Sequence, residues 1–370
     1  MAHCDVLVAG GGVVGLSLAW RLAQRGQQVV VLEAGTAGGA SWAAAGMLAP
    51  LAEARSCNAF VRLGLDSLAL YPDFLKELSD ASGLAIAPAG PGMLRVAQTR
   101  HEADTLHQAL TWQQTLGLPL EWLDTADALQ REPALLSTLV GAVYSPREQQ
   151  ITPRRLLDAL RAACLHAGVV IHANSCLETI VTHGQRATGA VVSTLSLDCG
   201  QLVLAAGVWI DRAAGRLGIS LPVTPLRGQA LTLDTGLPLP LAHTIYGTQG
   251  YLVPRASGQI VVGATEEHAG FDAAPTPDGR NGLRAMASRL VPLTAQLPLH
   301  EHWAGLRPVT PDGLPLLGRA PHWDNVFLAG GHGRNGILLT PITAQLMTRT
   351  LLDSTPPPAA LSPTRFEIAP

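Results

Sequence analysis

Two groups of residues in this 370-residue chain have the types and spacing to do chemistry. The first is Gly10-Gly11-Gly12-Val13-Val14-Gly15, which fits the spacing G-x-G-x-x-G and is followed by Glu33 at the end of a second apolar run. In such a motif Gly10 permits a tight turn, Gly12 lets backbone approach a pyrophosphate, and Gly15 lets a helix pack closely on a strand. A helix starting there offers free N–H groups and partial positive charge to phosphates. Glu33 falls where a carboxylate accepts hydrogen bonds from a ribose hydroxyl. The second group surrounds Arg307, in the apolar run Trp303-Ala304-Gly305-Leu306-Arg307-Pro308. An unpaired charge is costly in such company, and a guanidinium's planar fork suits a carboxylate held bidentately. The alternative for Arg307 is a structural arginine in a buried ion pair.

The elements that must position these groups are also legible. Residues 6–9 (Val-Leu-Val-Ala) form a short apolar run suited to a strand buried on both faces. Leu18, Ala19, Leu22 and Ala23 recur at helical spacing until Gly26 stops the pattern. Residues 29–32 are a second β-branched run. Strand, turn, helix, strand and acid in order describe a dinucleotide-binding βαβ unit, the alternative being an ordinary βαβ unit without a ligand.

The motif alone does not choose between NAD and FAD. The next stretch, residues 38–50, contains five alanines, three glycines and a Met-Leu pair. Small residues let a ligand lie along backbone, and a flavin needs such a run beside its second phosphate and ring system. A surface loop is the alternative, although flexible loops favour Ser, Asn and Asp. Residues 168–172, 189–192 and 201–207 read as further strands, passing Cys176 and ending in Ala206-Gly207. Residues 325–331 read as a buried strand entering a glycine turn, after which His332-Gly333-Arg334-Asn335-Gly336 leads to a helix expected from Ile337 to about Leu352. The N-terminus of that helix would stabilise negative charge on the pyrimidine edge of a reduced flavin.

Composition narrows the class. Hydrophobic residues make up 47% and charged residues 14%, with a formal net charge of -3. No basic excess points to nucleic acid or an anionic membrane. The five cysteines are scattered without a C-x-x-C pair, which fits a reducing compartment and gives neither a zinc nor a disulfide signal; no metal site is expected. Residues 1–5 lack a positively charged leader region, glycines interrupt residues 6–20 as a membrane span, and the last residues carry no peroxisomal tripeptide. A cytoplasmic location is expected. There is no internal repeat, and residues 356–358 (Pro-Pro-Pro) read as the start of a flexible end.

Four stretches carry a resemblance: Gly10 to Glu33; Ser41-Trp42-Ala43-Ala44-Ala45-Gly46-Met47-Leu48; Trp303 to Pro308; and Gly331-His332-Gly333-Arg334-Asn335-Gly336-Ile337-Leu338-Leu339. Over nearly its whole length the chain resembles the D-amino-acid oxidase superfamily of FAD-dependent oxidoreductases, and within it the glycine oxidase branch associated with making the thiazole of thiamine. The resemblance implies an α/β fold: a discontinuous Rossmann-like FAD-binding domain (residues 1–80, 150–222, 303–370) and a smaller substrate domain with an antiparallel sheet (81–149, 223–302). In keeping with this, residues 222–229 read as a crossover and residues 250–255 and 259–264 as a hairpin, while residues 100–130 read as helical. The cofactor-binding residues implied are Gly10, Gly12, Val13, Val14, Gly15, Glu33, Ser41, Ala44, Ala45, Gly46, Met47, Cys176, Ala206, Gly207, Gly331, His332, Gly333, Arg334, Asn335, Gly336, Ile337 and Leu338.

The implied reaction is FAD-dependent oxidative deamination of glycine or another small amine or D-amino acid, with O2 reduced to H2O2. The runner-up is a dehydrogenase passing electrons to a quinone or other carrier. The substrate needs its carboxylate fixed, by Arg307 with a hydrogen bond from Tyr251, and its α C–H aimed at flavin N5. Tyr251 taken alone is equally a strand aromatic. By the same analogy Arg334 lies beside the substrate and offers its backbone carbonyl to the amine, the alternative being an exposed helix-start residue. Met47, Ala49, Ala52 and Gln249 would line the pocket. His332 is not assigned as a base, because loss of hydride from carbon needs none. With no cysteine after Cys199 and no histidine between His3 and His101, FAD is expected to be non-covalent. A thiazole synthase is a possible partner, and a homo-oligomer is expected.

Overall fold

The computed structural model describes residues 2–35, 38–193 and 195–366. The C-terminal tripeptide therefore lies outside the described residues. Two eight-stranded sheets organise the rest. In the first, the strand Ala2–Ala9 pairs in parallel with Val29–Glu33 on one side and Leu195–Leu204 on the other. Val170–Ala173 extends one edge in parallel, and Val326–Gly330 extends the other. Val6, Leu7 and Val8 are fully buried. That follows from the continuous apolar run, since a parallel strand is covered on both faces. One cover is the helix Val13–Gln24, packed with Ala59–Ser82, Pro153–His166 and Thr340–Leu352.

The second sheet runs in the order Leu299–Val309, Thr224–Asp234, Gln259–Gly263, Gly250–Arg255, Thr244–Gly247, Met93–Ala97, Gly141–Ser145, Glu121–Asp124. Its pairs are antiparallel except Thr244–Gly247 against Met93–Ala97. It has as many strands as the first sheet. Leu299–Val309 pairs along its length with Thr224–Asp234, so it straddles position 303. The two sheets are joined locally: Leu306 N–H donates to Gly38 O at 3.0 Å, and Trp303 Nε1 donates to Ala43 O at 2.9 Å.

Several expectations need correction. Residues 222–229 are sheet from Thr224 onward, because Thr224 to Leu233 pair in register with Val309 to Leu299. Residues 100–130 are not helical throughout: the helix Arg100–Gln113 gives way to the edge strand Glu121–Asp124. A four-residue strand of sequence Glu-Trp-Leu-Asp, paired on one side only, lacks the β-branched run that would announce it. The last helix starts at Thr340, three residues after Ile337, because residues 333–339 are spent on turns held by Asn335 N–H to His332 O and Gly333 N–H to Pro308 O. The Pro-rich tail is pinned. Pro357 lies near Gly318, Leu361 is buried, and the Arg365 guanidinium binds Asp312 together with the carbonyls of Leu314, Pro315 and Ser362.

Candidate active site

A cavity of about 1920 Å³ is lined by residues of both sheets and their loops. It exceeds the ~300–1,000 Å³ usual for one drug-sized ligand, which suits a dinucleotide with a small substrate beyond it. One end is walled by Gly10, Gly11, Gly12, Val13, Val14 and Glu33. The helix Val13–Gln24 points its N-terminus at this wall. Its N-cap residue, Gly12, provides no side-chain acceptor, so the first-turn N–H groups are left for a ligand, apart from Val13 N–H to Ser41 Oγ at 3.2 Å. A Cβ on Gly15 would fall 1.8 Å from Gly10 O, and one on Gly10 2.2 Å from Ala205 O. Any side chain at either position would force turn, helix and strand apart.

The middle of the cavity is walled by the small-residue stretch Gly39 to Met47 with Ala206 and Gly207. Gly46, at φ +80°, would place a Cβ 2.0 Å from Ile151 O. Arg255, buried on its strand, fixes this stretch by donating to the carbonyls of Ala45 and Ile151 and to Gln150 Oε1. Burial pulls its guanidinium down to about 10, so it remains charged at neutral pH. These walls fit FAD: donors for a pyrophosphate, then flat backbone of a length to receive a ring system.

The far end is built from period-two alternation on neighbouring strands. Leu226, Gly228 and Ala230 alternate on one strand with the buried Arg227 and Gln229 of the opposite face; together with Gly305 and Arg307 on the next strand they face the cavity. Arg307 lies opposite Leu226 in the register, and its guanidinium folds over the diagonal neighbour Gly228. A Cβ there would lie 2.3 Å from the nearest guanidinium nitrogen. Arg307 donates to Thr265 O at 3.0 Å and has no carboxylate partner among the described residues. Tyr251 sits over Gly263, whose absent Cβ would fall 2.5 Å from its hydroxyl. No hydrogen-bond partner of that hydroxyl is found among the described residues. Desolvation raises the Tyr251 phenol above its ordinary value, and Arg307 opposes this in part, so the group is a proton donor at neutral pH.

Of the residues expected at the site, Gly10, Gly12, Val13, Val14, Glu33, Ser41, Ala44, Ala45, Gly46, Met47, Ala49, Ala52, Cys176, Ala206, Gly207, Gln249, Tyr251, Arg307 and His332 to Ile337 all line the cavity. Gly15, Gly331 and Leu338 do not. Gly15 meets the strand, as its packing task requires. Gly331 turns at φ +73° against Thr310, and Leu338 is in the core, its carbonyl accepting from Ser67 Oγ at 2.6 Å. His332 is buried with Nε2 3.0 Å from Thr343 Oγ1; burial pushes it down to about 4, so it is neutral. Gln249 Oε1 is held by Arg289. The carboxylate of Glu33, expected to face a ribose, is gripped by Arg161 with both oxygens at 2.6 Å.

Sequence reasoning missed Arg161, Arg255, Glu53 and Tyr246. Tyr246 is the cross-strand partner of Tyr251, its ring stacked at 6.4 Å, and its hydroxyl donates to Glu53. Glu53 also pairs with Arg334. A second set holds the loop that carries Glu53: Glu148 accepts from Leu51 N–H at 2.7 Å, and Arg95 donates to Leu51 O at 3.1 Å. Burial raises the Glu148 carboxyl and lowers the Arg95 guanidinium, and each opposes the other's shift electrostatically. The period-two pattern of strands could have paired Tyr246 with Tyr251; the other contacts had no local signal. Among the described residues no cluster of His, Cys, Asp or Glu could hold a metal ion, and no helix is long and apolar enough to cross a membrane.

Comparisons with known proteins agree with this geometry. Glycine oxidase of Geobacillus kaustophilus is 36% identical over 93% of this chain and 91% of its own length. The bifunctional protein ThiO/ThiG of Synechocystis is 36% identical over 98% of this chain, which spans 54% of that longer protein. The crystal structure of glycine oxidase from Geobacillus kaustophilus superposes with a TM-score of 0.92 at 34% identity, covering 99% of this chain and 100% of the other. The FAD dependent oxidoreductase model matches residues 5–350, and the chain belongs to that family of FAD-dependent enzymes.

Proposed function

We propose that this chain is a glycine oxidase: it converts glycine, O2 and water to glyoxylate, ammonia and H2O2, using non-covalently held FAD. The observation that carries the reading is the presence of Arg307 and Tyr251, a guanidinium without a carboxylate and a phenol without a partner among the described residues, on the wall of the cavity that the Gly10 to Val14 turn also lines. Small neighbours, Gly228, Ala230 and Gly305, leave Arg307 its freedom to fork onto a substrate carboxylate.

FAD when bound supplies the two-electron acceptor. The chain would hold it with the Gly10 to Val14 turn and Ser41 at the pyrophosphate, and Glu33 at the ribose with Arg161 fixing its carboxylate. The Ala44 to Met47 stretch, Ala206, Gly207 and the His332 to Ile337 turns would lie along its remaining length. Arg307 and Tyr251 would fix the carboxylate, and Arg334 O would accept from the amine, which sets the α-carbon's position. His332, neutral and bonded to Thr343, is not a base in this scheme. A discontinuous cofactor unit and a substrate unit, one around each sheet, is the division in this reading, with the boundary moved from residue 303 to beyond the strand Leu299–Val309, and a cytoplasmic location fits the free cysteines. The bifunctional relative supports hand-over of product to a thiazole-forming partner.

An anaerobic titration tests this. Glycine should bleach the flavin, with sarcosine, D-alanine and D-proline compared alongside, and aerobic turnover should release one peroxide per glycine. No bleaching by any of these amines overturns the substrate class, and turnover only with an artificial acceptor overturns the oxidase assignment.

A further inference from the structure

We propose that Glu53 sets the charge selectivity of the pocket: by occupying Arg334 it leaves Arg307 as the guanidinium available beside Tyr251, so that amino acids with a single carboxylate are accepted and those with a second are rejected. This rests on the reading above, in which Arg307 anchors the substrate carboxylate. Glu53 lies on the cavity wall between Ala52 and Ala54. One of its oxygens accepts from the Tyr246 hydroxyl and the other is paired with the Arg334 guanidinium. Tyr246 stacks on Tyr251 across the hairpin, and Tyr251 feels both Arg307 and Glu53 electrostatically. Two tyrosines thus separate an available guanidinium from a neutralised one.

The charges follow simply. A monocarboxylate satisfies Arg307, and nothing further is demanded of the pocket. A second carboxylate on the amine or side chain would enter the region of Tyr246 and meet the Glu53 oxygens, while the Arg334 guanidinium beside them is already paired. Rejection then comes from a repulsive group built into the wall rather than from lost contacts. Remove the Glu53 charge and Arg334 becomes a second carboxylate site. Glu53 and Arg334 side chains retain 35% and 45% of their exposure, so the pair sits at the rim and its exchange does not disturb the core. Glutamine at position 53 keeps an oxygen for Tyr246.

The test compares iminodiacetate, which is glycine carrying a second carboxymethyl arm, with N-ethylglycine, which keeps the first carboxylate and carries a methyl group in place of the second. The holoenzyme and its E53Q and E53Q/R334Q variants are assayed for kcat/KM on both, and for binding of malonate against acetate by anaerobic perturbation of the flavin spectrum. E53Q should raise the iminodiacetate to N-ethylglycine ratio about tenfold, equivalent to roughly 1.4 kcal/mol for a partly screened pair. The malonate preference should rise in parallel, and E53Q/R334Q should lose both gains. An unchanged ratio in an E53Q enzyme that still oxidises glycine overturns the role of Glu53 alone, as does a gain that persists without Arg334. A wild-type flavin that glycine does not reduce removes the parent reading and this proposal together.

Discussion

Gly228 offers a way to move the substrate anchor without touching it. A Cβ at this position would lie 2.3 Å from one terminal nitrogen of Arg307 and 2.4 Å from both the other nitrogen and the central carbon. Ordinary carbon contacts are about 3.5 Å, so Gly228→Ala must displace the guanidinium by about 1 Å. Position 228 has ordinary strand geometry, and the obstructing atoms are the far end of a flexible side chain. Folding stability should therefore stay within about 1 kcal/mol of the parent. Binding should not. A displacement of about 1 Å breaks a bidentate carboxylate contact and misaims the α-carbon, an effect on the order of 100-fold in kcat/KM, or about 2.7 kcal/mol. Urea unfolding of the holoenzyme reads the first quantity, and steady-state oxidation of glycine with anaerobic titration by acetate reads the second. The decisive step is the cycle with Arg307→Ala. Once the guanidinium is gone, Gly228→Ala should cost almost nothing more. Full additivity of the two losses, or an unaffected kcat/KM in Gly228→Ala, would refute the geometry on which the anchor is argued.

His332 predicts a pH dependence of stability. Its folded value is pushed down to about 4 by burial, from an ordinary 6.5. The unfolded chain thus binds more protons between those values, and stability is fully present above about pH 6.5 and lost as pH falls toward 4, by about 3 kcal/mol. Denaturant midpoints between pH 4 and 7 should show this slope, and His332→Gln should flatten it; an equal slope in the variant defeats the assignment. Arg255→Met keeps the apolar stem but leaves the carbonyls of Ala45 and Ile151 and Gln150 Oε1 without their donor. It should destabilise the protein by about 2–5 kcal/mol and loosen flavin retention on a desalting column. A variant that keeps both its stability and its colour would show that Arg255 does not hold the stretch.

What the sequence disclosed is what one element can say about itself. Val6 to Ala9 had to be covered on both faces because nothing in the run is polar, and Gly10, Gly12 and Gly15 define a turn whatever follows them. Arg307 stood out because its neighbours are apolar. Hidden were the relations that depend on register between distant strands. Gly228 is informative only once Leu226 is known to face Arg307, and Gly263 only once it is known to oppose Tyr251. Glu33 shows the same limit: its position after the second strand was plain, but its grip by Arg161, 128 residues onward, was not.

The same distant relations fix the backbone of two stretches of the pocket wall. Arg255 reaches from the second sheet to the carbonyl of Ala45, and Arg95 with Glu148 brackets the backbone of Leu51 from the same side. An apolar residue could fill the same space at less electrostatic cost, but it would not define where a carbonyl or N–H must sit. Ala45 belongs to the stretch proposed to run along the cofactor, and Leu51 sits one residue from Ala52 and two from Glu53, which face the substrate end. The buried arginines and Glu148 therefore tie the two ligand-bearing stretches of the first 60 residues to the sheet that carries Arg307 and Tyr251. The proposed cofactor wall, carboxylate anchor and charge filter share contacts with one sheet, through Arg255 to Ala45 and Arg95 to Leu51.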